Sequence, residues 1–232
     1  MDRALVAILA FVGAAVVVLG AAAVWLTVTD DDDPPVADLD DEPDVIEGVS
    51  FPPIDHDDDA AAGLLEAWER WRTATFVSIG TWTRTVDGVA EPLTGDVYTA
   101  QAPPRRLVVR LGAVVERFDG MTAACSPVEE DVIAPPCLAG PGLGYDELVE
   151  RELALVAEYV GGSNRLYDVA SDGACFQAEL IGAALASPWG RWAEFCFEES
   201  GALQSARIRR PSAIDIESIH TIRTDVTDAD FG

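Results

Sequence analysis

Residues 173–201 read "GACFQAELIGAALASPWGRWAEFCFEESG", two apolar–polar alternations separated by small residues, a proline and a glycine. If Cys175 and Cys196 face each other across an antiparallel hairpin, the same register sets Gln177 opposite Glu194 and Glu179 opposite Trp192. The other face then carries Phe176, Ala178, Leu180, Ala193, Phe195 and Phe197. Side chains alternate across a strand, so this second face is the buried one and the cysteines sit on the more polar side. A single register accounts for both strands, and an antiparallel sheet with one apolar face becomes the unit of the fold.

The same pattern extends on both sides of this hairpin. "FVSIGTWTRTV" (76–86) ends at Asp87-Gly88, a favoured two-residue hairpin turn, and "LTGDVYTAQ" (93–101) returns beside it. "RRLVVRL" (105–111) and "AVVERF" (113–118) flank Gly112, with Asp119-Gly120 closing the second. Further strands are expected near 166–170, 174–180, 190–197, 202–209 and 213–226. In the last of these His220 shares a face with Ile214, Ile216, Ser218 and Ile222, which reads as a mostly buried, satisfied histidine. Two helices interrupt the strands. Asp57 to Asp59 cap the first, in which Leu64, Trp68, Trp71 and Thr75 recur on one face. "YDELVERELALVAEYV" (145–160) forms the second, with Leu148, Val149, Leu153, Val156 and Val160 on one side and Gly161-Gly162 as its stop. The chain therefore reads as α+β: a large antiparallel sheet with helices packed on one face.

The amino-terminal part is different in kind. Residues 4–28 hold 25 positions without a charge, which as a helix make about 37 Å, enough to cross a bilayer with some tilt. A cleaved signal peptide is the rival, since Ala21 and Ala23 offer a small-x-small pattern, but the apolar run exceeds the usual ~7–15 residues of such leaders. We expect a transmembrane helix at 4–28 after a short cytoplasmic end at 1–3, with the C-terminal bulk extracytoplasmic at the cell membrane. Residues 29–59 contain 14 acidic residues and five prolines but no Lys or Arg, and read as a solvated, self-repelling tether ahead of a folded domain at 60–232. The formal charge of −26 excludes ordinary binding to a nucleic-acid backbone, which requires basic patches.

Four cysteines in an extracytoplasmic setting read as disulfides, and of the three possible connectivities we read 125–137 and 175–196, involving Cys125, Cys137, Cys175 and Cys196. Closing the second loop contributes about 3 kcal/mol on a chain-entropy estimate. No Cys-x-x-Cys or His-x-x-x-His spacing points to a metal, and no phosphate loop, nucleophile elbow, zinc helix or dinucleotide fingerprint is present. The sequence thus implies no catalytic residue and no cofactor. An antiparallel sheet with an apolar face and Trp-bearing helices against it either closes into a core or leaves a greasy cavity, for which Trp68, Trp71, Trp82, Phe176, Leu180, Phe195 and Phe197 are the candidate lining residues.

The opening helix (60–75), the hairpin "GTWTRTVDG", the segment "APPRRLVVRLGAVVERFDG" and the late hairpin "CFEESGAL" leading into "IDIESIHTIRTDVTDADF" together resemble the superfamily of LolA, LppX and RseB-like extracytoplasmic domains over about residues 60–231. The resemblance implies a strongly curved, half-barrel-like sheet wrapping helices, and members that hold lipids or lipoprotein acyl chains or that bind partner proteins. It implies here binding of a lipid or other apolar ligand, or alternatively a ligand-free sensing module that recognises an envelope protein; the membrane anchor expected at 4–28 departs from the soluble or lipid-anchored members of that group, and with no catalytic motif present the domain is expected to be non-catalytic.

Overall fold

The computed structural model describes residues 51–119, 123–125, 144–182 and 187–232, and of residues 123–125 the backbone alone. The expected span at 4–28, the acidic residues up to 50, the turn at Gly120, Cys137 and the side chain of Cys125 lie outside the described residues. Among the described residues no helix is long and apolar enough to cross a membrane.

Among the described residues, ten antiparallel strands form one open sheet. A first meander comprises β1 (Phe76–Val86), β2 (Leu93–Ala102), β3 (Arg105–Arg110), β4 (Ala113–Asp119) and β5 (Ala123–Cys125). A second comprises β6 (Tyr167–Asp172), β7 (Cys175–Leu180), β8 (Trp192–Phe197), β9 (Leu203–Arg209) and β10 (Ala213–Arg223). The spatial order is β5-β4-β3-β2-β1-β10-β9-β8-β7-β6, so the first strand and the last meet in the middle and join the two meanders. Helix α1 (Asp58–Thr73) precedes the sheet and α2 (Tyr145–Val160) links the meanders. The α+β architecture expected from the alternations is the one observed.

The 173–201 hairpin has the register its alternation predicts: Cys175 pairs with Cys196, Gln177 with Glu194 and Glu179 with Trp192, while Phe176 meets Phe195 on the opposite face. The Cys175–Cys196 disulfide closes the pair, with Cα atoms 4.0 Å apart. Two other expectations are corrected. Asp87-Gly88 is not a two-residue hairpin. β1 continues along β10 as far as Val86, paired with Ala213, whereas β2 starts only at Leu93, so the connection spans 87–92. The tight turn falls instead at Leu111-Gly112, whose φ angles of 51° and 74° are both left-handed. His220 is exposed: Trp82 faces inward opposite Glu217, so Ser218 and His220 share the outer face, where both are exposed; the β1–β10 register slips beside it, between Ile79, opposite Thr221, and Gly80, opposite Ile219. The bulge leaves His220 as the extra residue and inverts the phase beyond it, carrying Ile222 to the inner face, where it packs against the aromatic cluster. Gly80 is required there: a Cβ would lie 2.4 Å from the Ser218 carbonyl oxygen.

Residues 51–57, read from composition as the end of the tether, belong to the fold. Phe51 stacks edge-on against Trp192 at 4.9 Å, and the Ile54 N–H donates to Glu179 at 2.9 Å. Further along, the Asp57 N–H donates to the Val169 carbonyl at 2.8 Å, and the Val169 N–H donates to His56 Nδ1 at 3.1 Å. Both polar groups of Val169 on the free side of edge strand β6 are thereby occupied, a local answer to the exposed-edge problem. Asp57 then turns the chain into α1, its carboxylate accepting from the Asp59 and Ala60 N–H groups. The strap runs from the polar face of the sheet, around β6, to the helices on the other face. Replacing His56 with Leu orphans the N–H of fully buried Val169. A loss of about 1–3 kcal/mol is expected in urea unfolding, whereas His56→Gln, which keeps an acceptor, should lose less.

Candidate functional site

The inner face of the sheet has two halves of different chemistry. Over β6–β9, α1 and α2 close the face with aromatic rings. Trp68 of α1 is fully buried, and its ring lies 5.1 Å from Trp71, 5.2 Å from Phe195 and 5.4 Å from Trp189. Trp189 in turn meets Tyr167 at 5.1 Å and Tyr159 at 5.5 Å. Such edge-on and tilted contacts add about 0.5–1.5 kcal/mol each beyond area burial. Phe176, Phe197 and, from its margin, Leu180 belong to the same cluster. Six of the seven expected lining residues are therefore gathered in one place, where they pack against one another. The Tyr167 hydroxyl receives the Trp189 backbone N–H and donates to the Gly190 carbonyl, and burial pushes its pKa up to about 12.

The seventh, Trp82, stands apart. It lies on the inner face of β1, opposite Gly95 of β2 and Glu217 of β10. The guanidinium of Arg84 lies 5.3 Å and that of Arg110 5.5 Å from its ring centre, each a cation–π contact. Arg84 grips Asp215 with two bonds of 2.6 and 2.7 Å, Arg210 adds a third at 2.8 Å, and Arg110 donates to Glu217 at 2.6 Å. Burial raises the Glu217 carboxyl above its ordinary value, and Arg110 only partly opposes this. Leu111 reaches over Gly95, where an added Cβ would lie 1.9 Å from its Cδ2, and Leu111 and Leu93 remain exposed beside Trp82. The site thus offers an indole framed by paired charges, with an apolar rim at the turn end of the sheet.

Between the two halves a second ion network fastens α1 down. Arg72, at 1% exposure, bonds Glu116 of β4 at 3.1 Å and Glu152 of α2 at 3.2 Å. Glu152 also accepts the Trp68 indole N–H at 2.7 Å, and Arg106 of β3 donates to Glu116 at 2.9 Å. Gln101 accepts from Arg106 and donates to the Trp71 and Ala74 carbonyls at the end of α1, satisfying helix groups that otherwise have no partner. Burial acts to raise the Glu116 carboxyl, but the Arg106 and Arg72 charges prevail and hold it down at about 2. Sequence reasoning missed this network, along with Trp189. The available signal was phase: Arg106 and Arg110 alternate with Val108, and Glu116 with Phe118, so charged side chains share a face with core residues on adjacent strands.

Among proteins of known structure, about three quarters of the chain is matched by members of the LolA superfamily and by LppX, LprF and MucB. The Mycobacterium tuberculosis lipoprotein LppX is 14% identical, covers 74% of this chain and 98% of its own, and superposes with a TM-score of 0.35. A LolA superfamily protein from Nitrosomonas europaea is 8% identical, with 75% and 97% covered and a TM-score of 0.29. In the Pseudomonas aeruginosa MucA/MucB complex the match is 14% identical with a TM-score of 0.39, and it spans 75% of this chain but 60% of the other. The likeness is one of fold alone. No family model and no curated protein matches the sequence.

The Glu116 pairing makes a pH-dependent contribution. Its folded-state carboxyl lies below the ordinary value of 4.5, so the contribution is complete above that value and is lost as pH falls towards 2. Glu116→Gln leaves Arg72 and Arg106 buried without their shared anion and is expected to cost about 3–5 kcal/mol. In urea titrations at several pH values, the variant should also lose much of the wild-type decline in stability between pH 4.5 and about 2.

Proposed function

We propose that the chain is a non-catalytic binding domain of the cell envelope, extracytoplasmic and held to the membrane by residues 4–28, and that it takes a lipid or other apolar ligand on the Trp82 side of the inner face. The observation that carries this reading is the isolation of Trp82. The other inner-face aromatics are consumed by contacts with one another, so a guest among them would have to break a core of interlocked rings. Trp82, itself only 4% exposed, instead lies among charged side chains with exposed Leu93 and Leu111 at its rim, so a guest reaches the indole by displacing side chains and not by breaking a ring cluster. An aromatic floor, an apolar lip and a few fixed polar groups are the usual elements of a site for an apolar or amphiphilic small molecule. The disulfide at Cys175–Cys196 supports an oxidising compartment.

A second reading, recognition of an envelope protein without a small ligand, is favoured by the tight packing under α1 and α2, which leaves that half of the sheet a rigid platform. Native mass spectrometry of the full chain purified in detergent separates the two. A co-purifying lipid mass is expected, and Trp82→Ala should reduce its occupancy about tenfold if the indole contributes on the order of 1.4 kcal/mol. A wild-type chain that carries no lipid, and takes none up from added phospholipid or fatty acid, would refute the lipid reading and leave partner recognition.

A further inference from the structure

The exposed large apolar side chains are not scattered. Val89, Leu93, Leu111 and Val114 lie at the β1–β2 and β3–β4 connections, and Ile181 lies at the β7–β8 connection. In this antiparallel sheet those connections are all at one end, and among the described residues only Ile79 is an exposed large hydrophobic elsewhere. Leu111 holds its place at a cost. Its φ of 51° is a left-handed conformation that disfavours a bulky residue by roughly 1–2 kcal/mol, where Asn or Gly is usual. A leucine kept exposed in such a turn points to a contact outside the domain.

The chain enters the fold at the same end. Phe51 rests on Trp192, the first residue of β8, and Trp192 is level with Arg209, which pairs with Ile214 near the start of β10. Twenty-two residues (29–50) separate this point from the apolar run 4–28, a contour of at most about 75 Å. The surroundings of the lip include exposed Asp87, Glu91 and Asp96, which oppose an anionic surface but not a zwitterionic one.

We propose that this end of the sheet faces the bilayer and that the lip formed by Val89, Leu93, Leu111 and Val114 inserts into the interface of the membrane to which the chain is tethered. The inference rests on the anchoring reading above. Four side chains bury too little apolar surface to bind a membrane from free solution, but tethering makes the contact intramolecular, and a weak contact then suffices. Lipid contact at this end would also place the rim of the Trp82 site at the membrane surface.

The test uses the full chain reconstituted into phosphatidylcholine vesicles, with an environment-sensitive fluorescent amino acid placed at Val89 or, as a control, at exposed His220 in the middle of the sheet. Brominated phosphatidylcholine should quench the probe at 89 by about twofold and leave the probe at 220 unchanged. Leu93→Asp with Leu111→Asp should abolish the quenching while near-ultraviolet circular dichroism stays native. Retention on the vesicles after alkaline wash without quenching at 89 overturns the proposal alone. Release of the chain by that wash overturns the anchoring reading and this proposal with it.

Discussion

Everything on the inner face depends on the pairing of β1 with β10. It joins strands 137 positions apart at Thr81 and Ser218 and turns two meanders into one ten-stranded sheet. Each meander alone would expose a long edge at β1 or β10, with its row of unpaired backbone groups. Joined, they make a single surface along which the aromatic half, the Arg72 network and the Trp82 site lie side by side. The bulge at Ile79/Gly80 is part of this seam: with His220 as the extra residue, it shifts the phase of β10 beyond that point and brings Ile222 to the inner face.

The two halves of that face solve the problem of burial differently. Under the helices, interlocked rings supply apolar area and geometric specificity. Further along, arginines and carboxylates are buried in pairs, an arrangement that stabilises little relative to an apolar core because both charges must leave water. Broken singly, such pairs are costly, and each partner therefore fixes the other. Arg72 ties α1 to β4 and to α2, and Glu152 receives the Trp68 indole, so the charged network and the aromatic cluster share a boundary residue on each helix. A sheet-and-helix core of this size has no need of buried ion pairs for stability. Their presence beside Trp82 marks the half of the face where polarity is retained.

Much of this is legible in the sequence. The alternation in 173–201 fixed the β7–β8 register, the disulfide and the buried face together, because a period of two leaves only one side for Phe176 and Phe195. The second helix and the long strands followed from equally local periodicities. What was not legible depended on partners distant in sequence. The β1–β10 pairing has no local signature: which face of β10 turns inward, and so the exposure of His220, follows from it, and the bulge beside His220 depends on a glycine meeting the backbone at Ser218. The strap 51–57 was hidden within an acidic, proline-rich composition, although Phe51 and Ile54 were its anchors. Trp68, Trp71 and Trp82 looked equivalent as apolar residues at core phase, and only the strand order assigned two to a closed cluster and one to a charged setting.

The proposed ligand site is the Trp82 half of the inner face and not the aromatic half. Photolabelling of the full chain with a photoactivatable fatty acid, followed by peptide mapping of the adducts, tests it most directly. Adducts are predicted on peptides of β1 to β3 around Trp82, Leu93 and Leu111. Adducts confined to β7 and β8, around Phe176, Phe195 and Phe197, would contradict it.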